Sequence, residues 1–277
     1  MNEHDDILAF IGGGNMASAI IGGLRRLGRP GASILVVDPQ ASQRQRLEAD
    51  FGVRTLAAAD AGLAAAGTVV WAVKPQSFVA SAAPCAGHVS DATHLSVMAG
   101  IRSDAICRAV GVHPEVARVV RSMPNTPALI GRGIAGLYAT PAVTADERLR
   151  IEHLLTPTGQ TLWVEREADL DAVTALSGSG PAYVFYFVEA MMAAAVEMGL
   201  DADQGKRLAL ATFDGAAALA AQSDESPAVL RERVTSKGGT TYAALQSLEH
   251  DAVQTAFVRA LKAAQQRARE LGDEFGR

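Results

Sequence analysis

One short segment, residues 12–17 with the sequence Gly-Gly-Gly-Asn-Met-Ala, constrains the fold more than any other part of the chain. The segment matches the pattern Gly-x-Gly-x-x-Ala and lies between an apolar run at residues 7–11 and a helical pattern at residues 15–27. In such a position the first glycine permits a tight turn, the second lets the backbone approach a pyrophosphate, and the alanine lets helix and strand pack closely. The sequence therefore predicts a strand, a nucleotide-binding turn and a helix.

The pattern of strand and helix continues after this segment. Apolar runs at residues 34–37 and 68–73 flank a helical pattern at residues 41–50. Runs that are apolar throughout are typical of parallel strands buried on both faces, and their order predicts right-handed crossovers. Further stretches extend the predicted sheet at residues 94–98, 117–120 and 134–138. We therefore expect an α/β dinucleotide-binding domain of the Rossmann type over residues 1–164.

The second half of the chain has a different pattern. After about residue 165 the strand signals end, and alanine-rich helical patterns follow at residues 181–198, 203–221 and 251–270. The segment at residues 190–196 is apolar on more than one side of its helix. A helix that is apolar all round needs burial, and a second subunit supplies it. We therefore expect an all-helical substrate and dimerisation domain over residues 165–277.

Composition excludes several classes of partner. The formal net charge is −5, and the arginines are scattered rather than clustered, so nucleic acid is not expected to bind. No uninterrupted apolar run reaches the roughly 18 residues that span a bilayer, and residues 2–6 are acidic. We therefore expect a cytoplasmic protein without a membrane segment or a targeting segment. Cys85 and Cys107 are expected in the core, the six histidines form no ligand pattern, and no metal site is predicted.

Asp38 and Lys74 are predicted to contact the nucleotide. Asp38 ends the second strand about 20 residues after the glycine motif, where an acid normally accepts hydrogen bonds from the adenosine ribose. Asp38 favours NADH, unless the following loop supplies hydrogen-bond donors for a 2′-phosphate from Gln40, Ser42, Gln43 and Arg44. Alternatively, Arg44 lies on a solvated helix face. Lys74 lies at the end of the strand predicted from the apolar run at residues 68–73, where Pro75 forces the chain to turn away. NAD or NADP specificity stays open at this point.

Five segments, taken together, resemble one enzyme family. They are Phe-Ile-Gly-Gly-Gly-Asn-Met at residues 10–16, Ala-Val-Lys-Pro at 72–75, Arg-Ser-Met-Pro-Asn-Thr-Pro at 121–127, Ser-Gly-Ser-Gly-Pro-Ala-Tyr at 177–183 and Thr-Ser-Lys-Gly-Gly-Thr-Thr at 235–241. In this order and spacing they resemble pyrroline-5-carboxylate reductase, the last enzyme of proline synthesis. The resemblance covers about residues 7 to 270.

The resemblance implies an activity and an assembly. Members of the family reduce the cyclic imine 1-pyrroline-5-carboxylate to L-proline with a hydride from NADPH or NADH. We expect NADPH here, with NADH as the alternative because of Asp38. The resemblance also implies a Rossmann domain followed by a helical domain that interleaves with its partner in a homodimer, and dimers of the family often build decamers.

The resemblance also implies the site residues. The cofactor-binding residues are expected to be Gly12, Gly13, Gly14, Asn15, Met16, Ala17, Asp38, Val73, Lys74, Pro75 and Ala99. The substrate-binding residues are expected to be Glu167, Ser236, Gly239, Thr240 and Thr241. Ser236 and the backbone N–H groups of Thr240 and Thr241 match a carboxylate site, and the hydroxyl of Thr241, the predicted catalytic residue, matches the partner of the ring nitrogen.

Three residues depart from the family pattern. Lys237 replaces the usual proline, so the loop loses a fixed φ angle and gains a charge that either faces solvent or approaches the carboxylate. Ala59 replaces an asparagine that contacts the ribose in many relatives, and Asp38 replaces a polar or basic residue. The last two changes affect the expected cofactor preference rather than the reaction.

Two other functions share features with this sequence. A β-hydroxyacid dehydrogenase has similar domains but needs a catalytic lysine on its long inter-domain helix, and residues 181–198 contain none. A nucleotide-sensing protein without activity is expected to lose the loop at residues 235–241, which is present here with Lys237 as its one unusual residue. For residues 177–181, close helix packing and substrate contact are equally compatible with the small side chains.

Overall fold

The computed structural model describes residues 7–275, which form two compact units. Within these bounds, the first unit contains residues 7–179 and 264–275, and the second contains residues 180–263. The expectation for residues 2–6 and the outer ends of the two predicted domains lie outside the described residues.

The first unit is built on an eight-stranded sheet. Its strands are β1 (Ile7–Ile11), β2 (Ile34–Val37), β3 (Arg54–Leu56), β4 (Ala66–Trp71), β5 (Thr93–Ser96), β6 (Val119–Met123), β7 (Gly133–Ala139) and β8 (Gly159–Trp163). They lie in the order β3-β2-β1-β4-β5-β6-β7-β8. Neighbours are parallel except for the antiparallel pair β6 and β7. The order reverses direction at β1, which pairs with both β2 and β4, and in open α/β sheets ligands bind at such a point.

Helices cover both faces of this sheet. They are α1 (Asn15–Arg26), α2 (Ala41–Phe51), α3 (Phe78–Ala82), α4 (Ser103–Val110), α5 (Ala145–Leu155) and α6 (Asp169–Val173). One buried cluster joins the sheet to α3 and α4 through residues such as Phe78 and Ile106. The other joins it to α1, α2 and α5 through residues such as Ile20, Leu47 and Ile151. The predicted Rossmann architecture is therefore confirmed.

The two strands at the edges of the sheet were not predicted. β3 reads Arg-Thr-Leu and β8 reads Gly-Gln-Thr-Leu-Trp, and neither is fully buried. An edge strand needs no continuous apolar run, because part of it faces solvent. The antiparallel direction of β7 also lacked a signal in the sequence.

The second unit contains only helices and the turns between them. Its helices are α7 (Gly180–Glu197), α8 (Ala202–Gln222), α9 (Pro227–Arg233), α10 (Thr240–His250) and the first part of α11 (Val253–Phe275). Close packing joins α7 to α8, because a Cβ atom at Gly205 would lie 2.8 Å from the Cβ of Ala195. Large apolar side chains of α7 are exposed in the single chain, including Phe185 and Tyr186. The predicted helical second half is confirmed.

The compact units and the predicted domains have different bounds. Residues 165–179 and 264–275 belong to the first unit. Leu170 and Ala175 are buried there, and a Cβ atom at Gly136 in β7 would lie 2.6 Å from a methyl group of Val173. The proposed boundary between a cofactor domain and a substrate domain, at residues 164 and 165, stays a prediction.

One helical stretch of the described residues, Asp169–Glu197, is long and apolar enough to cross a membrane by length and composition alone. Only 11% of its most apolar window is buried in the single chain. An exposed apolar helix of this kind is also what a subunit interface requires.

Candidate functional site

Gly12 makes the turn that follows β1. Its φ angle is +95°, and a Cβ atom there would lie 2.7 Å from the carbonyl oxygen of Ala72. Its N–H donates to the carbonyl oxygen of Val37, which connects the turn to the end of β2. Only glycine satisfies both the backbone angle and the close approach. This geometry agrees with the role that the motif assigns to its first glycine.

The N-terminus of α1 lies directly after this turn. Gly14 is the residue before the helix, no side chain caps it, and a Cβ atom there would meet nothing within 4 Å. Asn15 is exposed and Met16 is half-buried, whereas Ala17 is buried against the sheet. The first N–H groups of a helix have no partner within the helix, and together with the helix dipole they form a site for an anion. The open space and the free donors fit a pyrophosphate.

Asp38 holds the turn from the side of β2. One oxygen of its carboxylate accepts the N–H of Gly13 at 2.9 Å, and the other accepts the N–H of Gln40 at 2.8 Å. The side chain of Gln43 donates to the carbonyl oxygen of Gly13, and that of Arg44 donates to the carbonyl oxygen of Asp38 at 2.8 Å. The guanidinium of Arg44 therefore contacts the backbone at Asp38 and is not surrounded by solvent alone. Gln43 was expected as a donor in this loop, but its hydrogen bond to Gly13 was not predicted.

A cleft of about 480 Å³ opens at this edge of the sheet. Among the residues that line it are Gly12, Gly14, Asp38, Ala59, Val73 and Lys74. β4 ends at Trp71. The prediction that this strand extends into residues 72–75 is therefore wrong. The polypeptide leaves the sheet there, and Pro75, which has no N–H to donate to a neighbouring strand, begins a short 3-10 turn.

Ala99 lies half-buried after β5, within the same unit. Its predicted place beneath a nicotinamide ring stays a prediction. The cleft and the uncapped helix together fit a dinucleotide, because they supply an open space, an anion site and a polar group at residue 38.

Glu167 makes three contacts within the first unit. Its carboxylate accepts hydrogen bonds from the N–H of Ser103 at 2.7 Å and from the hydroxyl of Ser103 at 2.8 Å. It also forms an ion pair with the buried Arg121 at 2.9 Å. Glu167 thus joins the N-terminus of α4 to β6. These contacts give it a structural role, and its predicted contact with substrate stays a prediction.

The segment at residues 121–127 fixes the turn between β6 and β7. The side-chain oxygen of Asn125 accepts the N–H of Ile134 at 3.0 Å, and its side-chain nitrogen donates to the carbonyl oxygen of Ser177 at 3.3 Å. A Cβ atom at Gly178 would lie 2.5 Å from the terminal methyl of Met123. For Gly178, close packing therefore explains the small side chain.

The loop at residues 235–241 precedes α10 in the second unit. Gly238 has a φ angle of +76°, and the N–H of Gly239 donates to the carbonyl oxygen of Ser236 at 3.0 Å. No side chain caps α10, so the N–H groups of Thr240 and Thr241 have no partner within the helix. This geometry suits the binding of a carboxylate.

Within the same loop, the side chain of Lys237 is exposed. Both interpretations of Lys237, facing solvent or approaching the substrate carboxylate, stay predictions. Thr241 is half-buried and Thr240 is exposed.

The cysteines offer no nucleophile. Burial raises the pKa of the Cys85 thiol to about 11, and burial likewise raises the pKa of Cys107. Both thiols are therefore protonated near neutral pH. Among the described residues, no group of three or more His, Cys, Asp or Glu side chains is arranged to hold a metal ion.

Comparison with known families agrees with this arrangement. Residues 167–271 match a family described as pyrroline-5-carboxylate reductase dimerisation, and residues 7–100 match one described as NADP oxidoreductase, coenzyme F420-dependent. The first match begins at Glu167 and includes the loop before α10. A dimerisation domain is therefore present in this chain.

Relatives align over nearly the whole chain. A protein of Pseudomonas aeruginosa named pyrroline-5-carboxylate reductase is 42% identical over 270 residues, which cover 97% of this chain and 98% of that protein.

Solved structures of similar proteins agree as well. A pyrroline-5-carboxylate reductase from Coxiella burnetii is 35% identical with a TM-score of 0.88, over 96% of this chain and 98% of that one. A pyrroline carboxylate reductase from Plasmodium falciparum, solved with NADP bound, is 26% identical with a TM-score of 0.83, over 97% and 99%. On the sequence identity and its coverage, this chain belongs to the pyrroline-5-carboxylate reductase family.

Proposed function

We propose that this chain reduces 1-pyrroline-5-carboxylate to L-proline with a hydride from NADPH, with NADH as the alternative cofactor. The observation that carries the proposal is the uncapped N-terminus of α1 beside an open cleft, in a chain that belongs to this family. The chain is therefore an NAD(P)H-dependent oxidoreductase that acts on a carbon–nitrogen double bond.

The first unit holds the cofactor in this proposal. The turn at Gly12 and the free N–H groups at the start of α1 bind the pyrophosphate, which needs no cationic side chain there. Val73, Lys74 and Pro75 lie at the ribose end, and Ala99 lies beneath the nicotinamide. When bound, the reduced nicotinamide supplies the hydride.

The loop before α10 binds the substrate in this proposal. The hydroxyl of Ser236 and the N–H groups of Thr240 and Thr241 bind the carboxylate, and Gly239 lets the loop close, since a Cβ atom there would lie 2.7 Å from the hydroxyl oxygen of Ser236. A helix N-terminus without a side-chain cap is suited to an anion. Glu167 is proposed to border the substrate, although its carboxylate already has three donors.

Thr241 is proposed to orient the ring nitrogen. The nitrogen becomes more basic on reduction, so it must gain or keep a proton. A threonine hydroxyl is too weak an acid to supply that proton efficiently at neutral pH, but it can hold the nitrogen in place. The imine is partly protonated before it binds, so positioning by the loop is the main contribution of the protein.

The assembly and location are also proposals. We propose a homodimer through the helices of the second unit, with a decamer built from such dimers as the alternative assembly. The exposed apolar side chains of α7 support the dimer. The net charge of −5 argues against nucleic acid as a partner. We place the enzyme in the cytoplasm, away from membranes, because its substrate and cofactor are water-soluble small molecules.

The first experiment is an assay of absorbance at 340 nm with purified protein and 1-pyrroline-5-carboxylate, with NADPH and NADH in parallel. Imine-dependent oxidation of either cofactor is the expected result. Cofactor binding without any imine-dependent oxidation would instead support a nucleotide-sensing protein, for which Lys237 is the first residue to replace.

A further inference from the structure

We propose that the end of α11 positions the nicotinamide by holding the loop that carries Ala99, and that Asp273 is a positioning residue for hydride transfer. The loop comprises residues 97–102, between β5 and α4, and is called the nicotinamide loop. The proposal rests on the proposed function, in which Ala99 lies beneath the nicotinamide, and deepens it. All the contacts involved lie within the first unit, which contains residues 264–275 of α11 as well as the loop.

The nicotinamide loop packs directly on the backbone of α11. Gly100 has a φ angle of +76°, and a Cβ atom there would lie 3.3 Å from Cδ2 of Phe275 and 3.5 Å from the carbonyl carbon of Leu271. Gly272 in α11 is buried, and a Cβ atom there would lie 3.2 Å from a guanidinium nitrogen of Arg102. Each of the two surfaces therefore has a glycine at the point of contact, and a side chain at either position would press on the opposite surface.

An ion pair and an aromatic ring reinforce this contact. The guanidinium of Arg102 donates to the carboxylate of Asp273 at 2.6 Å. Phe275 is half-buried against the core cluster that contains Met98 and Ile101 of the loop. The ion pair is exposed, with 42% of the Arg102 side chain and 62% of the Asp273 side chain accessible, so its expected contribution to global stability is at most about 1 kcal/mol.

The two ends of the nicotinamide loop are fixed by other elements. The N–H of Val97 donates to the carbonyl oxygen of Trp71 at 3.1 Å, which joins the start of the loop to the end of β4. Directly after the loop, Ser103 donates to Glu167 through its N–H and its hydroxyl. Ala99 lies between these fixed ends and directly before Gly100. A displacement of α11 is therefore transmitted to Ala99 through the adjacent peptide.

The position of the nicotinamide matters more for the rate than for affinity. The reacting atoms have to approach to about 3–3.5 Å, and a misplacement of about 1 Å can lower the rate about 100-fold. The proposed pyrophosphate site lies at Gly12 and the start of α1, away from the nicotinamide loop along the chain. Disturbing the contact between the loop and α11 should therefore lower kcat and leave most of the cofactor affinity in place.

The test replaces two neighbouring acids near the end of α11. Asp273→Lys reverses the charge that faces Arg102 on the nicotinamide loop. The matched control, Glu274→Lys, reverses a charge that faces Arg267 on α11 itself. Hydrogen exchange of the full-length protein without cofactor, measured by mass spectrometry, should be about 2- to 5-fold faster at residues 97–102 in Asp273→Lys, the range for the loss of an exposed ion pair. In Glu274→Lys the exchange of these residues should be unchanged.

Two further measurements monitor the nicotinamide itself. The fluorescence of bound NADPH reports the surroundings of the reduced ring, and it should change in Asp273→Lys with little change in the Kd. In the 340 nm assay, Asp273→Lys should lower kcat about 10-fold with little change in the KM for the imine. Arg102→Lys keeps a cation opposite Asp273 and should retain most of the activity, as should Glu274→Lys.

Unchanged exchange at residues 97–102 in folded Asp273→Lys would overturn the inference, and so would faster exchange with an undiminished kcat. Equal losses of kcat in Asp273→Lys and Glu274→Lys would also overturn it. If Asp273→Lys does not fold, Asp273→Asn and Glu274→Gln, which remove only the charges, give the same comparison. An inactive unaltered protein would overturn the proposed function alone, because the exchange and fluorescence measurements need no imine.

Discussion

Gly12 and Ala72 approach so closely that a Cβ atom at residue 12 would lie 2.7 Å from the carbonyl oxygen of Ala72. Gly14, two residues later, has an extended backbone with φ −64° and ψ −170°, and a Cβ atom there would meet open space. The two glycines of the motif therefore have different surroundings: Gly12 is crowded by backbone, and Gly14 is not. Gly12 is required by the fold, whereas neither the backbone angles of Gly14 nor any atom within 4 Å in the chain requires a glycine there.

This difference predicts different outcomes for two matched substitutions. Gly12→Ala should lower the free energy of unfolding by about 2–4 kcal/mol, because it combines a φ angle of +95° with a clash against backbone. Gly14→Ala should change it by less than about 0.5 kcal/mol and weaken NADPH binding about tenfold or more. Urea denaturation and calorimetric titration measure the two effects. Tight NADPH binding by Gly14→Ala would contradict the proposed pyrophosphate site.

The second prediction concerns acid stability. His94 is buried in β5, where its Nδ1 accepts a hydrogen bond from the indole N–H of Trp71 at 3.2 Å. Burial, helped by the charge of Arg118, lowers the pKa of His94 from 6.5 to about 4. The unfolded chain therefore takes up this proton first, so stability is lost as the pH falls from 6.5 to 4. This change amounts to about 3 kcal/mol.

Urea denaturation of His94→Asn at several pH values isolates this contribution, because asparagine keeps an acceptor near Trp71 and does not titrate. The variant should be less stable than the unaltered protein at pH 7, with a smaller loss between pH 6.5 and 4. An identical loss in both proteins would show that His94 is not the group responsible.

The third prediction separates the two roles of Glu167. Glu167→Ala leaves the buried Arg121 without its carboxylate, which should cost about 3–5 kcal/mol of stability. Ser103→Ala is the control, since it removes one hydroxyl contact and should cost about 1 kcal/mol. If Glu167 also borders the substrate, Glu167→Gln should raise the KM for the imine more than Ser103→Ala does. Equal KM values in the two folded variants would leave Glu167 with its structural role alone.

The fourth prediction concerns turnover. Thr241→Ala should lower kcat about 10- to 1,000-fold, the range for the loss of one positioned polar group. Thr241→Ser keeps a hydroxyl at the start of α10 and should retain most of the activity. Steady-state assays at 340 nm measure both, and undiminished kcat in Thr241→Ala would remove this hydroxyl from the mechanism.

The fifth prediction concerns assembly. Phe185 in α7 is 59% exposed in the single chain and lies within the segment that matches the dimerisation family. Phe185→Glu should shift the protein from dimer to monomer in analytical ultracentrifugation, because burial of an unpaired charge opposes association. Leu27→Glu serves as the control, since Leu27 is 65% exposed but lies outside that segment. A dimer that is unaffected by Phe185→Glu would place the interface elsewhere.

Patterns in the sequence were sufficient to predict the central part of the sheet, the turn at Gly12 and the helical second half. These features have local causes: continuous apolar runs for buried strands, a glycine where φ is positive, and helical spacing over many residues. The family motifs likewise indicated the reaction, because five segments in order are specific even where each alone is weak.

The contacts between these parts could be read only from the folded chain. It joined both oxygens of Asp38 to the backbone at Gly13 and Gln40, and it brought Glu167 to Ser103 and Arg121. It also placed β3 and β8 at the edges of the sheet. Such contacts link residues far apart along the chain, and they depend on side-chain directions and on burial that no local pattern contains. The sequence thus predicted an acid, Asp38, at the position that contacts the ribose, but it did not predict the fixed orientation of the Asp38 carboxylate.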